Sequence, residues 1–277
     1  MEKINWFPGH MQKALRMMEA EAKNVDALIY VLDSRAPFAC LNPEFVKIIG
    51  NKPILFVLNK IDLADEAKVK EIKTKIPGEN KLVVELNSTS SGAINLITNS
   101  LNALCASTIE KYRSKGVNYF VRAMVIGVPN CGKSTLVNNL CGVRKAITGN
   151  KPGVTKSKQW VKLSNNIEIL DTPGTLWPNL TNEAEARKLA FIGSIKDDVV
   201  EIEQLSLFLI ETLLEQYPKL ILERYGVETE GKTALEIMEK IAEKRKYVVR
   251  GGEIDYERTA KAILDDFRKG RIGRITL

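Results

Sequence analysis

The sequence is poor in several things, and each shortage removes a class of protein. No apolar run approaches the roughly eighteen residues that a membrane span needs. The longest, Ala27–Leu32 and Ile54–Leu58, have the length of buried strands. The opening Met1-Glu2-Lys3-Ile4-Asn5-Trp6 lacks the apolar core of a secretory signal, so the chain is expected in the cytoplasm, with no membrane partner. The four cysteines, Cys40, Cys105, Cys131 and Cys141, share no paired metal-ligand spacing, which argues against a zinc site and against a disulfide framework. Histidine occurs once, as His10. From Lys111 to Ile167 there is no Asp or Glu, yet that stretch holds eleven Lys and Arg residues. Such a carboxylate-free segment points to an anionic partner, bound phosphates or nucleic acid.

What is present fits a globular chain. Its 277 residues, 44% hydrophobic and 27% charged, suit one large domain or two ordinary ones. The net charge of +7 is uneven: residues 1–178 carry 24 bases against 15 acids, and residues 179–277 carry 17 against 19. Four apolar segments, Ala27–Leu32, Ile54–Leu58, Leu82–Leu86 and Ala123–Ile126, each end in polar or glycine-rich residues followed by a plausible helix. Continuous apolar strands of this kind belong to a parallel sheet covered on both faces, and ligands bind beyond the carboxyl ends of such strands. Gln159–Leu163 and Ile167–Leu170, split by Ser164-Asn165-Asn166, read as a hairpin. After Pro178 the texture becomes helical, with apolar residues at helical spacing in Glu201–Gln216, Thr233–Lys244 and Tyr256–Lys269. The expected fold is therefore α/β over residues 1–178, with a small all-α domain over 179–277.

The chemistry sits at the strand ends. Gly127-Val128-Pro129-Asn130-Cys131-Gly132-Lys133-Ser134 has the spacing of a phosphate-binding P-loop between a strand and a helix. Its backbone N–H groups would close around phosphates, Lys133 would reach the β- and γ-phosphates, and Ser134, followed by Thr135, would ligate Mg²⁺. Asp171-Thr172-Pro173-Gly174 fits a turn when taken alone. Beside a P-loop it reads as a γ-phosphate sensor, with Asp171 holding Mg²⁺ through water and Gly174 offering its amide. Asn59-Lys60-Ile61-Asp62 brings in the base. A carboxylate at Asp62 accepts two parallel hydrogen bonds, which guanine offers from N1–H and its exocyclic amine and adenine does not. Asn59 would support the purine's other edge and the Lys60 stem its face, while Asn87-Ser88-Thr89 would complete the pocket. Thr155, in Pro152-Gly153-Val154-Thr155, is placed to give its hydroxyl to Mg²⁺ and its amide to a γ-phosphate; a simple Pro-Gly turn is the alternative.

These are the GTPase motifs in an unusual order, with the base-recognition residues ahead of the P-loop. With that order the chain resembles the circularly permuted GTPases, specifically the bacterial ribosome biogenesis GTPase A family. The resemblance spans nearly the whole chain and rests on Trp6-Phe7-Pro8-Gly9-His10-Met11, Asn59–Asp62, Pro129–Thr135, Pro152–Thr155, Asp171–Gly174 with Trp177-Pro178, and the C-terminal Gly251-Gly252 and Gly273-Arg274. It implies a permuted P-loop GTPase domain followed by a helical, RNA-contacting domain. It further implies a role in late assembly of the large ribosomal subunit, with that subunit and its rRNA as partners beside GTP and GDP.

Hydrolysis needs a water aimed at the γ-phosphate. Ras-like enzymes use a Gln directly after Asp-x-x-Gly; here Thr175 stands there, also unlike the aliphatic residue usual in the family. The resemblance makes His10 a catalytic candidate that would orient or deprotonate water if the N-terminal segment folds over the site; packing or RNA contact beside Trp6 and Phe7 is the alternative. Lys133 and Thr155 would act on the phosphates. Asn130 occupies the P-loop position at which several ribosome- and tRNA-linked GTPases help place K⁺. The expectation is a GTPase slow alone, stimulated by the ribosomal subunit and monomeric away from it. In its GTP form Lys156, Lys158, Lys162, Lys269, Arg271 and Arg274 would face rRNA. The rival is a signalling GTPase acting through a protein effector, against which stand the carboxylate-free stretch and the absence of a lipidation motif.

Overall fold

A computed structural model of the chain describes residues 9–76, 78–141, 159–164, 166–178, 180 and 182–277. Trp6, Phe7, Pro8, Thr155 and the lysines at 151, 156 and 158 lie outside the described residues. The chain forms two compact units, one ending at Leu180 and one running from residue 182 to Ile275.

In the first unit the described elements are α1 (Gly9–Glu21), β1 (Ala27–Asp33), α2 (Phe45–Ile49), β2 (Ile54–Asn59), α3 (Glu66–Lys75), β3 (Lys81–Leu86), α4 (Ala93–Leu104), α5 (Ala106–Arg113), β4 (Val121–Ile126), α6 (Lys133–Leu140), β5 (Gln159–Ser164) and β6 (Ile167–Asp171). The six strands make one sheet in the order β3-β2-β1-β4-β6-β5, parallel throughout except for β5, which runs antiparallel to β6. Every residue of β1 and β2 is buried, so both faces of the sheet's middle are covered, as their unbroken apolar runs require. The edge strand β3 instead exposes Lys81 and Leu82 at its start. Tyr30 anchors the β1 side of the core: its ring stacks on Phe56 at 5.5 Å, meets Phe45 edge-on at 5.4 Å, and its hydroxyl donates to the Cys40 carbonyl.

The topology locates the site. The chain lays down β1, β2 and β3 outward in one direction, then returns to place β4 on the other flank of β1. Strand order reverses there, and the crevice beyond the carboxyl ends of β1 and β4 is where such sheets bind ligands. The residues leaving those ends are Asp33-Ser34-Arg35 and Gly127–Gly132, with Asn59–Asp62 leaving β2 next door.

The second unit is helical: α7 (Glu183–Phe191), α8 (Ile202–Gln216), α9 (Pro218–Tyr225), α10 (Ala234–Arg245) and α11 (Tyr256–Arg268). Helix α8 is the hub on which α7, α9, α10 and α11 pack, burying Leu205, Leu209, Ile210 and Leu213 against Ile237, Ile241, Ile263 and Phe267. The helix starts are explicit. Asn182 caps α7, Asp255 caps α11, and Thr233 with Glu236 forms a reciprocal capping box on α10. Asp266 is buried and accepts from Arg224 at 2.9 and 3.0 Å, Tyr225 at 3.2 Å and Arg271 at 3.1 Å. Two expected rRNA-facing cations are thus engaged within the helical unit, Arg271 with Asp266 and Lys269 with Asp265. Among the described residues no helix is long and apolar enough to cross a membrane.

Candidate functional site

On the phosphate side, the loop leaving β4 turns tightly into α6, so the helix amino end and the loop amides face one concavity. Two glycines make the close approaches possible. Gly132 has φ 103°, and a Cβ there would overlap the Asn59 side-chain amide. A Cβ at Gly174 would lie 2.7 Å from Pro129 Cα and 2.8 Å from Lys133 Nζ, so the loop leaving β6 can lie against the P-loop only with glycine there. Asn130 holds φ 58° without being glycine, a left-handed conformation that costs on the order of 1 kcal/mol. Lys133 is buried, and its ammonium donates to the carbonyls of Gly127 at 3.0 Å and Val128 at 2.6 Å. Ser134 and Thr135 follow in the first turn of α6, half-buried.

Asp171 closes this side at the end of β6. It is almost wholly buried, and neither carboxylate oxygen has a well-formed hydrogen bond among the described residues. Burial pushes its carboxyl up to about 6, only partly offset by the nearby Lys133 ammonium and the Thr172 amide. An unsatisfied buried carboxylate is costly unless it serves a cation. With the Ser134 hydroxyl on the facing helix, this donor set is all oxygen and fits a hard divalent ion such as Mg²⁺. Thr172 is fixed alongside by its hydroxyl, which donates to the Val125 carbonyl at 2.5 Å. Thr175 is fully buried and its hydroxyl has no partner among the described residues, so its side chain does not reach out to hold a water.

On the base side, both ends of the Asn59 amide bond to the protein. Its Nδ2 donates to the Cys131 carbonyl at 2.7 Å, and its Oδ1 accepts from the Ser88 amide at 2.9 Å and hydroxyl at 2.8 Å. One side chain thereby ties the ends of β2 and β3 to the P-loop. Lys60, at φ 60°, runs the same way: its ammonium donates to the Asn130 carbonyl at 2.7 Å and pairs with Asp33 at 2.8 Å. Asp62 is exposed beyond it. The Asn87–Ser90 loop is held from α6 by Asn139, whose Nδ2 donates to the carbonyls of Ser88 and Ser90, while Asn87 Oδ1 accepts from the Thr89 amide and hydroxyl.

Sequence reasoning passed over one part of this constellation. Asp33 and Arg35, at the end of β1, are both buried and form a two-point ion pair at 2.7 and 2.9 Å, with Lys60 as a third member. The two cations hold the Asp33 carboxyl far below its ordinary range despite full burial. The available signal was position: an acid and a base two residues apart, where the first strand meets the reversal in strand order. His10 lies exposed at the start of α1, and no described hydrogen bond or ion pair joins it to the P-loop.

A family model described as the 50S ribosome-binding GTPase matches residues 122–249. Ribosome biogenesis GTPase A of Bacillus cereus is 34% identical over 274 residues, covering 99% of this chain and 93% of the relative. The chain belongs to the ribosome biogenesis GTPase A family. It is accordingly a GTP-hydrolysing enzyme. Two solved structures resemble this family member along almost its full length. A GDP-bound TM YlqF has TM-score 0.68 and 26% identity, covering 94% of this chain and 97% of that one. GNP-bound YlqF from T. maritima has TM-score 0.66 and 27% identity, covering 95% and 97%. The expected permuted GTPase fold, mostly parallel and followed by helices, is therefore found.

Proposed function

We propose that this GTPase serves late assembly of the large ribosomal subunit in the cytoplasm, binding rRNA in its GTP form and leaving after hydrolysis. The observation that carries the chemistry is convergence. Lys133 from the start of α6, Asp171 from the end of β6, and Asn59 and Lys60 from the end of β2 come together at one reversal of strand order although the sequence scatters them. The ribosomal assignment is supported by the names of the family model and of the relatives. Residues 1–178 are assigned as the GTPase domain and 179–277 as the RNA-contacting domain.

In this reading Asp62 accepts the guanine edge, and Asn59, Lys60, Asn87 and Ser88 shape the base pocket. The amides of Asn130–Thr135 and Gly174 cradle phosphate, and Lys133 neutralises it. Ser134, Asp171 and Thr155 would hold Mg²⁺, which would draw charge from the phosphate oxygens. Asn130 would help place K⁺; equal turnover in KCl and NaCl at matched ionic strength would remove that assignment. With Thr175 turned inward, intrinsic turnover is slow, and His10 supplies the missing water contact when the subunit is engaged. His10→Ala then lowers stimulated turnover while leaving GTP affinity intact.

The decisive experiment measures GTP turnover with and without purified large subunits, and subunit co-sedimentation in a non-hydrolysable GTP analogue against GDP. Stimulation and analogue-dependent binding are expected, with the protein monomeric away from the subunit. Stimulation by protein effectors alone would favour a signalling role instead.

A further inference from the structure

The carboxylate-free stretch does more than build the P-loop. Its first part ends α5 and leads through residues 114–120 into β4, and its last part is β5. Sheet register gathers the strand residues of this stretch, and the Tyr112–Tyr119 stack ties the end of α5 to the approach to β4. Arg122, Glu168 and Lys162 lie in one row across β4, β6 and β5. Trp160, two residues along β5, shares their face by the strand's two-residue period, and Phe120 lies two residues before Arg122. The row of Arg122, Glu168 and Lys162 lies near the amino end of β4, away from the nucleotide crevice that follows its carboxyl end, and Trp160, level with Leu170, lies two residues nearer that crevice.

The face is aromatic and cationic. Phe120 is 40% exposed and Trp160 37%, although both are large apolar rings. A cation stands over each: the Arg122 guanidinium is 5.6 Å from the Trp160 centroid and the Lys162 ammonium 5.9 Å from that of Phe120. Tyr112 and Tyr119 stack at 4.2 Å behind them, Tyr119 fixed by its 2.5 Å bond to Asp26. A depression of about 410 Å³ opens beside Phe120 and Arg122; its two carboxylates are already engaged, Asp26 by the Tyr119 hydroxyl and the Arg122 amide and Glu168 by the Arg122 guanidinium.

The charge is also left over. Elsewhere exposed lysines are matched to carboxylates four residues away, as in Lys70–Glu66, Lys75–Glu71 and Lys261–Glu257. Here Lys111, Arg113, Lys115 and Lys162 are exposed, and none has a carboxylate within ion-pair distance among the described residues. The row's one carboxylate, Glu168, is matched to Arg122 at 3.4 Å. Unmatched cations beside exposed flat rings are complementary to a strand that offers phosphates along its backbone and unstacked bases along its edge.

We infer that this face of the GTPase unit, built by Phe120, Trp160, Arg113, Lys115 and Lys162, binds a single-stranded segment of RNA. The inference rests on the ribosomal role proposed above and names a contact surface for it on the GTPase unit. The lysines and Arg113 hold the phosphates, and Phe120 and Trp160 each accept a base on their open face.

The test uses the full chain and a fluorescent, unstructured RNA oligonucleotide of about twelve nucleotides, with the same sequence as a duplex. Wild type is expected to prefer the single strand. Phe120→Ala and Trp160→Ala should each lower affinity about tenfold. Combining Arg113→Glu, Lys115→Glu and Lys162→Glu should weaken binding further and flatten its salt dependence by about 0.7 in log–log slope for each phosphate no longer held. GTP affinity and turnover without subunits should stay at wild-type values in all of them, which also checks folding. The inference is overturned if wild type binds no oligonucleotide, or prefers the duplex. It is equally overturned if the variants bind RNA as wild type does, or lose only a ribosomal protein's binding. Large-subunit stimulation, measured in parallel, separates the two readings: wild type that ignores subunits defeats the ribosomal role, whereas variants stimulated like wild type defeat only this surface.

Discussion

Two buried aspartates distinguish the molecule's two units. Asp266 in the helical unit is surrounded by donors from Arg224, Tyr225 and Arg271. Asp171 in the α/β unit is buried more deeply, yet neither oxygen finds a good partner among the described residues. Both sit in low dielectric, where a lone carboxylate is penalised. The first is satisfied by its own fold and therefore holds that fold together. The second is left wanting, and its carboxyl rises to about 6 as a result. Deficit at a strand end marks a group kept for something that arrives later, and completeness marks architecture.

The contrast can be broken by substitution. The largest effect should come from Asp62→Asn, which replaces an acceptor pair by an amide. GTP affinity should fall by about four orders of magnitude while xanthosine triphosphate, whose edge suits an amide, gains, as read by nucleotide competition. Next, Asp171→Asn should lower Mg²⁺-dependent turnover by about 100- to 1000-fold with no loss of thermal stability. Asp266→Asn should do the reverse: it leaves Arg224 without its anion and Arg271 with Asp265 alone, and costs about 3 kcal/mol in denaturant unfolding of the helical unit, with turnover per folded molecule kept. If both variants lose stability alike, the distinction drawn above fails.

Asp33 sharpens the comparison, because it is a satisfied aspartate within the α/β unit. Its folded carboxyl lies below the unfolded value of 3.8, so its stabilising contribution is complete above that pH and is lost as pH falls through and below it. Asp33→Asn should therefore destabilise by about 3 kcal/mol near neutrality, and the gap to wild type should narrow below about pH 4 in unfolding titrations. The smallest effect expected is Thr233→Ala, which removes the α10 cap and costs about 1 kcal/mol.

Much of the α/β unit is legible in the sequence because its strands are buried on both faces. Ala27–Leu32 and Ile54–Leu58 form β1 and β2 with one residue added to each, the polar Asp33 and Asn59 that then serve the crevice. The hairpin is legible from Ser164-Asn165-Asn166 between Gln159–Leu163 and Ile167–Leu170, and β5 does run antiparallel to β6. Helices α7 and α9 are not: α7 buries only Leu189, Ala190 and Phe191 near its end, and α9 starts at Pro218, which in sequence reads as an interruption. Within the site, the motif residues announce themselves by type and spacing. The Asp33–Arg35 pair does not, since two opposite charges after a strand resemble an exposed turn, and only tertiary packing buries them. Nor can spacing show that Asn59 spends its amide on Ser88 and Cys131, because those partners come from distant strands.

That amide has a thermodynamic consequence. Asn59 joins the strand end that leads to Lys60 and Asp62 directly to the Gly127–Gly132 loop, through one hydrogen bond to the Cys131 carbonyl. A purine that steadied one end would steady the other, and a phosphate would return the same free energy to the base pocket proposed above. Under the proposed site assignment, guanine and phosphate would be sensed as a single reciprocal signal, whichever part of the nucleotide the chain happens to encode first.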